Sequence, residues 1–176
     1  DVEELRAEFA GYRELGYRAG KMKIAGAAFA EDVTRVGAVR DALGPDSDLM
    51  IDANNMYRPR EAVKFAAAVE HLDIFWYEEP VRTDDLAGAA FVRERVSMPV
   101  AGYETETSRW GFKALIDGGA IDIVQADTVW AGGITECRRI AAYASACNLP
   151  VAPHNFASAI SGFANLHLLA SLPDAM

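Results

Sequence analysis

Short apolar runs alternate along the chain with stretches in which apolar residues recur at helical spacing. Tyr17–Ile24, Asp48–Asp52, Asp73–Glu78, Pro99–Gly102, Ile121–Ala126 and Pro150–Ala152 read as strands. Asp1–Leu15, Phe29–Leu43, Arg58–Leu72, Asp84–Val96, Arg109–Gly118, Gly133–Cys147 and Ser158–Ser171 read as amphipathic helices. Strand followed by helix, repeated with no Asn-Gly hairpin signal, predicts a parallel sheet with helices packed on it. No low-complexity stretch, linker or composition shift divides the chain, so a single domain spanning 1–176 is expected.

The residues that close the strands carry more information than the strands. Lys23, Asp52, Glu78, Glu104, Asp127 and His154 each end an apolar run, at separations of 29, 26, 26, 23 and 27 residues. Each separation is about one strand–helix unit. Buried strands ordinarily end in turn residues, whereas six successive ones here end in an ionisable group. In a parallel barrel all the C-terminal strand ends meet at one mouth, where such enzymes place their chemistry. A doubly wound open sheet sets its strand ends in a line and gathers fewer of them at one crevice. The pattern therefore predicts an α/β chain of the (β/α)₈ TIM-barrel type. Six strands do not close an eight-stranded barrel, so strands two to seven are expected here, with a first and an eighth strand and any preceding domain outside this sequence.

Composition works by exclusion. A hydrophobic fraction of 51% in 176 residues suits one ordered core. The formal net charge of −9 disfavours nucleic acid or an anionic membrane as partner. No apolar run approaches the ~20 residues that a membrane span requires. Cys137 and Cys147 fall in one predicted helix, ~15 Å apart at the helical rise, too far for a disulfide. A reducing cytoplasm is the expected setting.

Asp52, Glu78 and Glu104, on three consecutive strands, form a candidate oxygen-rich site. Three carboxylates without Cys or His ligands suit a hard ion such as Mg²⁺. Any one of them alone reads as a solvated loop acid; three in step read as a site. Asn54, two residues past Asp52, points the same way or serves as a turn residue. Glu79 neighbours Glu78 and should face away, so it is kept off the ligand set. Lys21 and Lys23 share one face of their strand by the period of two. Set inward, they repel each other and are expected to lower each other's pKa towards that of a useful base; set outward, they are an ordinary solvated edge. Asp127 and His154 close adjacent strands, so the carboxylate is placed to fix the imidazole tautomer. His71 and His167 lie within helices and read as packed or surface residues.

Taken together, these motifs resemble the enolase superfamily and, within it, the mandelate racemase-like group, from about Gly16 onwards. Lys21-Met22-Lys23 is similar to the family's Lys-x-Lys, Ile51-Asp52-Ala53-Asn54 to its first metal-ligand motif and Trp76-Tyr77-Glu78-Glu79-Pro80 to its second. Gly102-Tyr103-Glu104-Thr105-Glu106 followed by Ser108–Phe112 resembles the third. Asp127, Gly132-Gly133-Ile134-Thr135 and Pro153-His154-Asn155 look like the paired Asp and His of strands six and seven. Tyr103 departs from the Gly that many relatives carry, and the eighth-strand acid and the capping domain are not found.

The resemblance implies Mg²⁺ on Asp52, Glu78 and Glu104, binding a substrate carboxylate and stabilising the enediolate formed on α-proton loss. Lys23 and His154 would face opposite sides of the α-carbon, with Lys21 tuning Lys23. Two such bases permit dehydration of a sugar acid to a 2-keto-3-deoxy acid or racemisation of a 2-hydroxy acid, and the motifs resemble the dehydratases more. Asp122–Gly132 holds no lysine of the kind that cycloisomerases and dipeptide epimerases of the superfamily usually carry on strand six, which argues against those reactions. The expected partner is a small-molecule carboxylate, and a homo-oligomer is expected. A non-catalytic barrel, or a fragment, is the alternative of another class.

Overall fold

The structure, a computed structural model, describes residues 1–156, 158–173 and 175–176. Among them α1 (Val2–Glu14) leads into β1 (Ala19–Lys23), α2 (Phe29–Leu43) and β2 (Asp48–Asp52). Then come α3 (Pro59–Val69) with a 3₁₀ turn at Glu70–Leu72, β3 (Ile74–Glu78), α4 (Leu86–Arg93) and β4 (Val100–Gly102). The chain continues through α5 (Ser108–Asp117), β5 (Ile123–Val124), α6 (Ile134–Ala146) and α7 (Ala159–Leu169). Local chemistry starts several helices: Asp1 and Glu4 form a reciprocal cap on α1, Pro59 opens α3, and Asp85 accepts the Gly88 N–H to cap α4.

The five strands pair in chain order, β1-β2-β3-β4-β5, and every pair is parallel. This is an arc of a barrel wall, with successive helices packed on one another from α1 to α4 and from α5 to α7. The register separates two rows of side chains. Met22, Ile51, Tyr77 and Val100 face one another across the strands and are all buried. The next row, Lys23, Asp52, Glu78 and Ala101, lies on the opposite face of the sheet. Apolar residues of the first row pack with Val39, Phe65, Val92 and Leu115 of the helices, so the polar row is left facing the interior of the arc.

The sixth predicted strand, Pro150–Ala152, is shorter than expected. Val151 forms an isolated parallel bridge to Val124 and a second one, on its other side, to Ala175. The Val124 N–H donates to Pro150 O, and the Ala152 N–H donates back to Val124 O, both at 3.0 Å. Pro150 and Pro153 have no N–H with which to lengthen that ladder. At the other end of the strands Arg40 donates to the carbonyls of Leu72, Gly44, Ser47 and Asp73, which ties the starts of β2 and β3 together. Cys137 and Cys147 are both free thiols, as their spacing predicted.

Phe65 is fully buried, stacked on Tyr57 with centroids 5.5 Å apart and edge-on to Phe29 at 5.7 Å. Phe65→Ala should therefore cost ~3–5 kcal/mol in urea unfolding, the usual range for a large aromatic removed from a close-packed core. A loss below about 1 kcal/mol would show that this contact between α2, α3 and the loop after β2 carries little of the core.

Candidate active site

Parity along the strands decides which side chains reach the interior of the arc. Lys23 is in register with Asp52, and Asp52 with Glu78; Lys21 lies on the same face as Lys23, two residues earlier. Lys23 Nζ donates to Asp52 Oδ2, while Lys21 Nζ donates to Glu78 Oε1 and lies 3.2 Å from Asp52 Oδ2. Both carboxylates are buried. Glu78 Oε2 is held separately: the Trp76 indole N–H donates to it at 3.0 Å and the Gln125 side-chain amide at 2.8 Å. Asp52 Oδ1 accepts the Asn54 backbone N–H at 2.9 Å.

Burial pushes both acids upward, but their surroundings pull them apart. At Asp52 the neighbouring Glu78 carboxyl group, the Lys23 hydrogen bond, the Lys21 charge and the Asn54 N–H together outweigh burial, and its pKa falls below the ordinary aspartate value. At Glu78 burial, reinforced by the Asp52 charge, outweighs Lys21, and its pKa rises. Burial alone would lower Lys21, but the Glu78 and Asp52 carboxylates overcome it and raise its pKa. The expected mutual depression of the lysines is thus not found at Lys21, because its ammonium rests on carboxylates.

Glu104, two residues past the end of β4, is buried, and its Oε2 has no hydrogen-bond partner; His154 Nε2 lies 3.4 Å away. His154 Nδ1 is 2.8 Å from Asp127 Oδ2. Asp127 Oδ1 is occupied by the Val129 and Trp130 N–H groups at 2.6 and 3.3 Å. A carboxylate only accepts, so Nδ1 carries the hydrogen and Nε2 is turned towards Glu104. Asn165 of α7 donates to the His154 carbonyl at 2.8 Å and holds the backbone of this residue in place.

The three acids all point into the arc, but they do not gather at one point. Lys21 and Lys23 draw Asp52 and Glu78, whereas Glu104 faces His154. Among the described residues no group of three His, Cys, Asp or Glu side chains is arranged to hold a metal ion. The donor set nevertheless fits a hard divalent cation: every ligand atom would be a carboxylate oxygen, and Glu104 Oε2 is buried without a hydrogen-bond partner.

Two residues of this cluster, Trp76 and Gln125, are not flagged by the sequence reading, and a third, Glu79, is set aside by it. Trp76 and Gln125 share the parity of Glu78 and of Asp127, so the period of two could have flagged both. Glu79 faces away from the lysines as expected, yet it is buried, with φ +43°. Burial, with the Glu104, Asp52 and Glu78 charges, pushes its pKa up to about 7. Asn54, at φ +45°, is exposed and serves Asp52 through its backbone. Tyr103 fills space under the Glu104 loop and is fully buried. Beside the lysines opens a cavity of about 430 Å³, lined by Lys21, Lys23, Trp76, Gln125, His154 and Asn155 among others.

Comparison with known proteins agrees with this architecture. The family described as enolase C-terminal domain-like matches residues 4–176. The chain belongs to this family, in the mandelate racemase group of the enolase superfamily. Arabinonate dehydratase of Saccharolobus solfataricus is 40% identical over 172 residues, which are 98% of this chain and 46% of that protein. The 3,6-anhydro-D-galactonate cycloisomerase of Zobellia galactanivorans superposes with a TM-score of 0.95 at 39% identity, over 99% of this chain and 50% of that one. A racemase of Streptomyces coelicolor, solved with bound magnesium, superposes with a TM-score of 0.94 at 32% identity, over all of this chain and 48% of that one. The chain thus spans about half the length of the relatives it matches. Cycloisomerases, the class against which the lack of a lysine in Asp122–Gly132 argues, thus stand among the proteins this chain resembles, beside dehydratases and racemases. Among the described residues no helix is long and apolar enough to cross a membrane.

Proposed function

We propose that the complete protein dehydrates a sugar acid to a 2-keto-3-deoxy acid. The observation that supports this most is the placement of two proton-handling groups on one cavity from the two ends of the strand arc. Lys23 comes from β1 and His154, braced by Asp127, from the segment beyond Val151. The buried acids Asp52, Glu78 and Glu104 lie on the strands between them. These acids would hold Mg²⁺, which when bound supplies positive charge to the substrate carboxylate.

The residues of this chain then have separate tasks. Lys21, between Asp52 and Glu78, is placed to meet the substrate carboxylate, and Asn54 at the mouth is a further substrate contact. The Lys23 amine, once neutral, takes the α-proton, and the electron pair passes into the carboxylate. Its return breaks the bond between the β-carbon and its hydroxyl, and a proton from His154 Nε2 lets that group leave as water. The resulting enol tautomerises to the keto acid, so one water is lost and no oxidant or reductant takes part. Racemisation is the second reading, favoured by the superposition on a racemase; there the second group returns a proton to the opposite face of the α-carbon.

The test is incubation of a panel of sugar acids with the full-length protein and Mg²⁺ in D₂O. Keto acid accumulating from at least one of them is the expected result. Deuterium entering recovered substrate with inversion and no keto acid replaces dehydration by racemisation. A full panel with neither product nor exchange, while Mg²⁺ is bound, sinks both.

A further inference from the structure

The acid adjoining Glu78 has a role that the proposed chemistry leaves unexplained. A left-handed φ of +43° turns Glu79 beneath the loops that follow β2, β3 and β4, and it is 1% exposed. Its Oε1 accepts the backbone N–H of Glu104 at 3.2 Å. Its Oε2 accepts from the Asn55 side-chain amide at 2.7 Å. Asn55 Oδ1 in turn accepts the Thr83 hydroxyl at 3.2 Å, and Thr83 and Thr105 share a hydrogen bond at 2.8 Å. The belt therefore runs from the loop beyond Asp52 through the loop beyond Glu78 to Glu104 and Thr105. Backbone bonds run parallel to it: Asn55 N–H donates to Glu79 O at 2.8 Å, and Glu79 N–H to Ala101 O at 3.0 Å.

The β4 backbone at Gly102 packs close against the Glu79 side chain. A Cβ on Gly102 would stand 3.2 Å from Glu79 Cγ, a tight contact that would need the side chain to shift by a few tenths of an ångström, and the φ of +146° at this position itself favours glycine. A buried acid with no cation on it is costly, and a purely structural spacer at this point would be better served by an apolar side chain. Its two bonds instead go to the backbone N–H of Glu104 and to the side-chain amide of Asn55.

We propose that Glu79 is a positioning residue: it clamps the Glu104 N–H through one oxygen and Asn55 through the other, and so sets the third acid relative to the first two. This rests on reading Asp52, Glu78 and Glu104 as ligands of a divalent cation, but it is independent of which acid is turned over. Side chains in this position, one bond behind a ligand, typically contribute 10–100-fold in metal affinity.

The experiment measures Mg²⁺ affinity by calorimetry, and exchange of the Glu104 amide by NMR, in the full-length protein. Glu79→Ala should weaken Mg²⁺ binding by ~10–100-fold and speed exchange of the Glu104 amide. In the double variant Glu79→Gln with Asn55→Asp, the glutamine oxygen still accepts the Glu104 N–H and its NH₂ donates to the new carboxylate. Most of the lost affinity and the slow exchange should return. A generic folding defect would lower thermal stability in both variants and would not be repaired by swapping donor and acceptor. Glu79→Ala protein that binds Mg²⁺ like the wild type, or a folded double variant that recovers neither readout, overturns the proposal. Wild-type protein that binds Mg²⁺ but dehydrates nothing sinks the proposed function and leaves this inference standing.

Discussion

His154→Asn in the full-length protein should lower keto-acid formation by ~10²–10⁴-fold, the usual loss when a positioned proton donor is removed. The asparagine amide is close to the imidazole in bulk and retains an N–H for Asp127, whose Oδ2 lies 2.8 Å from Nδ1. What it cannot do is hand over a proton at the position of Nε2. Lys23, at the other end of the arc, is untouched, so the α-hydrogen should still wash out into D₂O. Lys23→Ala should behave differently and remove both exchange and product, because no electron pair is released to expel the hydroxyl. The two variants thus separate breaking of the C–H bond from breaking of the C–O bond. For a racemase each variant would instead block exchange of one enantiomer and spare the other. Full turnover in His154→Asn would remove this residue from the chemistry, and the proposed division of labour with it.

Much of this arrangement could be read from the sequence because two periodicities coincide. The period of two fixes the face of each strand residue, and the repeat of about one strand–helix unit brings the strand ends to a common level. Together they put Lys21, Lys23, Asp52 and Glu78 on one surface, with Asp127 beside His154. The parallel order of β1 to β5 follows from the same repeat. What escaped depends on backbone conformations and neighbours that periodicity does not encode. The left-handed φ at Glu79 and the close approach of Gly102 are settled by tertiary packing, so strand parity says of the acid beside Glu78 only that it points away. Likeness of charge predicts that the lysines depress each other, whereas Lys21 is governed by the carboxylates of the two neighbouring strands. The last predicted strand shrank to a bridge because proline flanks Val151 on one side and follows one residue later on the other.

Lys21→Met should destabilise the full-length protein without Mg²⁺ and make it gain more from Mg²⁺ than the wild type does. Lys21 is the ammonium shared by Asp52 and Glu78, and both carboxylates are buried. Removing one partner of a fully buried ion pair costs ~3–5 kcal/mol; with Lys21 31% exposed, and Lys23 still on Asp52, about 2 kcal/mol is the expected loss. The sign of the pH dependence follows from the raised pKa of Lys21. A raised folded-state value means that its contribution is fully present below the unfolded lysine value of ~10.4 and fades only as pH climbs through the folded one. Melts around neutral pH should therefore show a constant deficit, narrowing only in strong alkali. Mg²⁺ and the Lys21 ammonium compete for the same carboxylate charge, so in the wild type part of the binding energy is spent in moving the lysine aside. In Lys21→Met no such displacement is needed, and saturating Mg²⁺ should close most of the gap between the two proteins, as mass action on the folded state requires. Equal Mg²⁺-induced shifts in both melts would mean that lysine and cation do not share Asp52 and Glu78. The ligand assignment would then have to move away from those two acids.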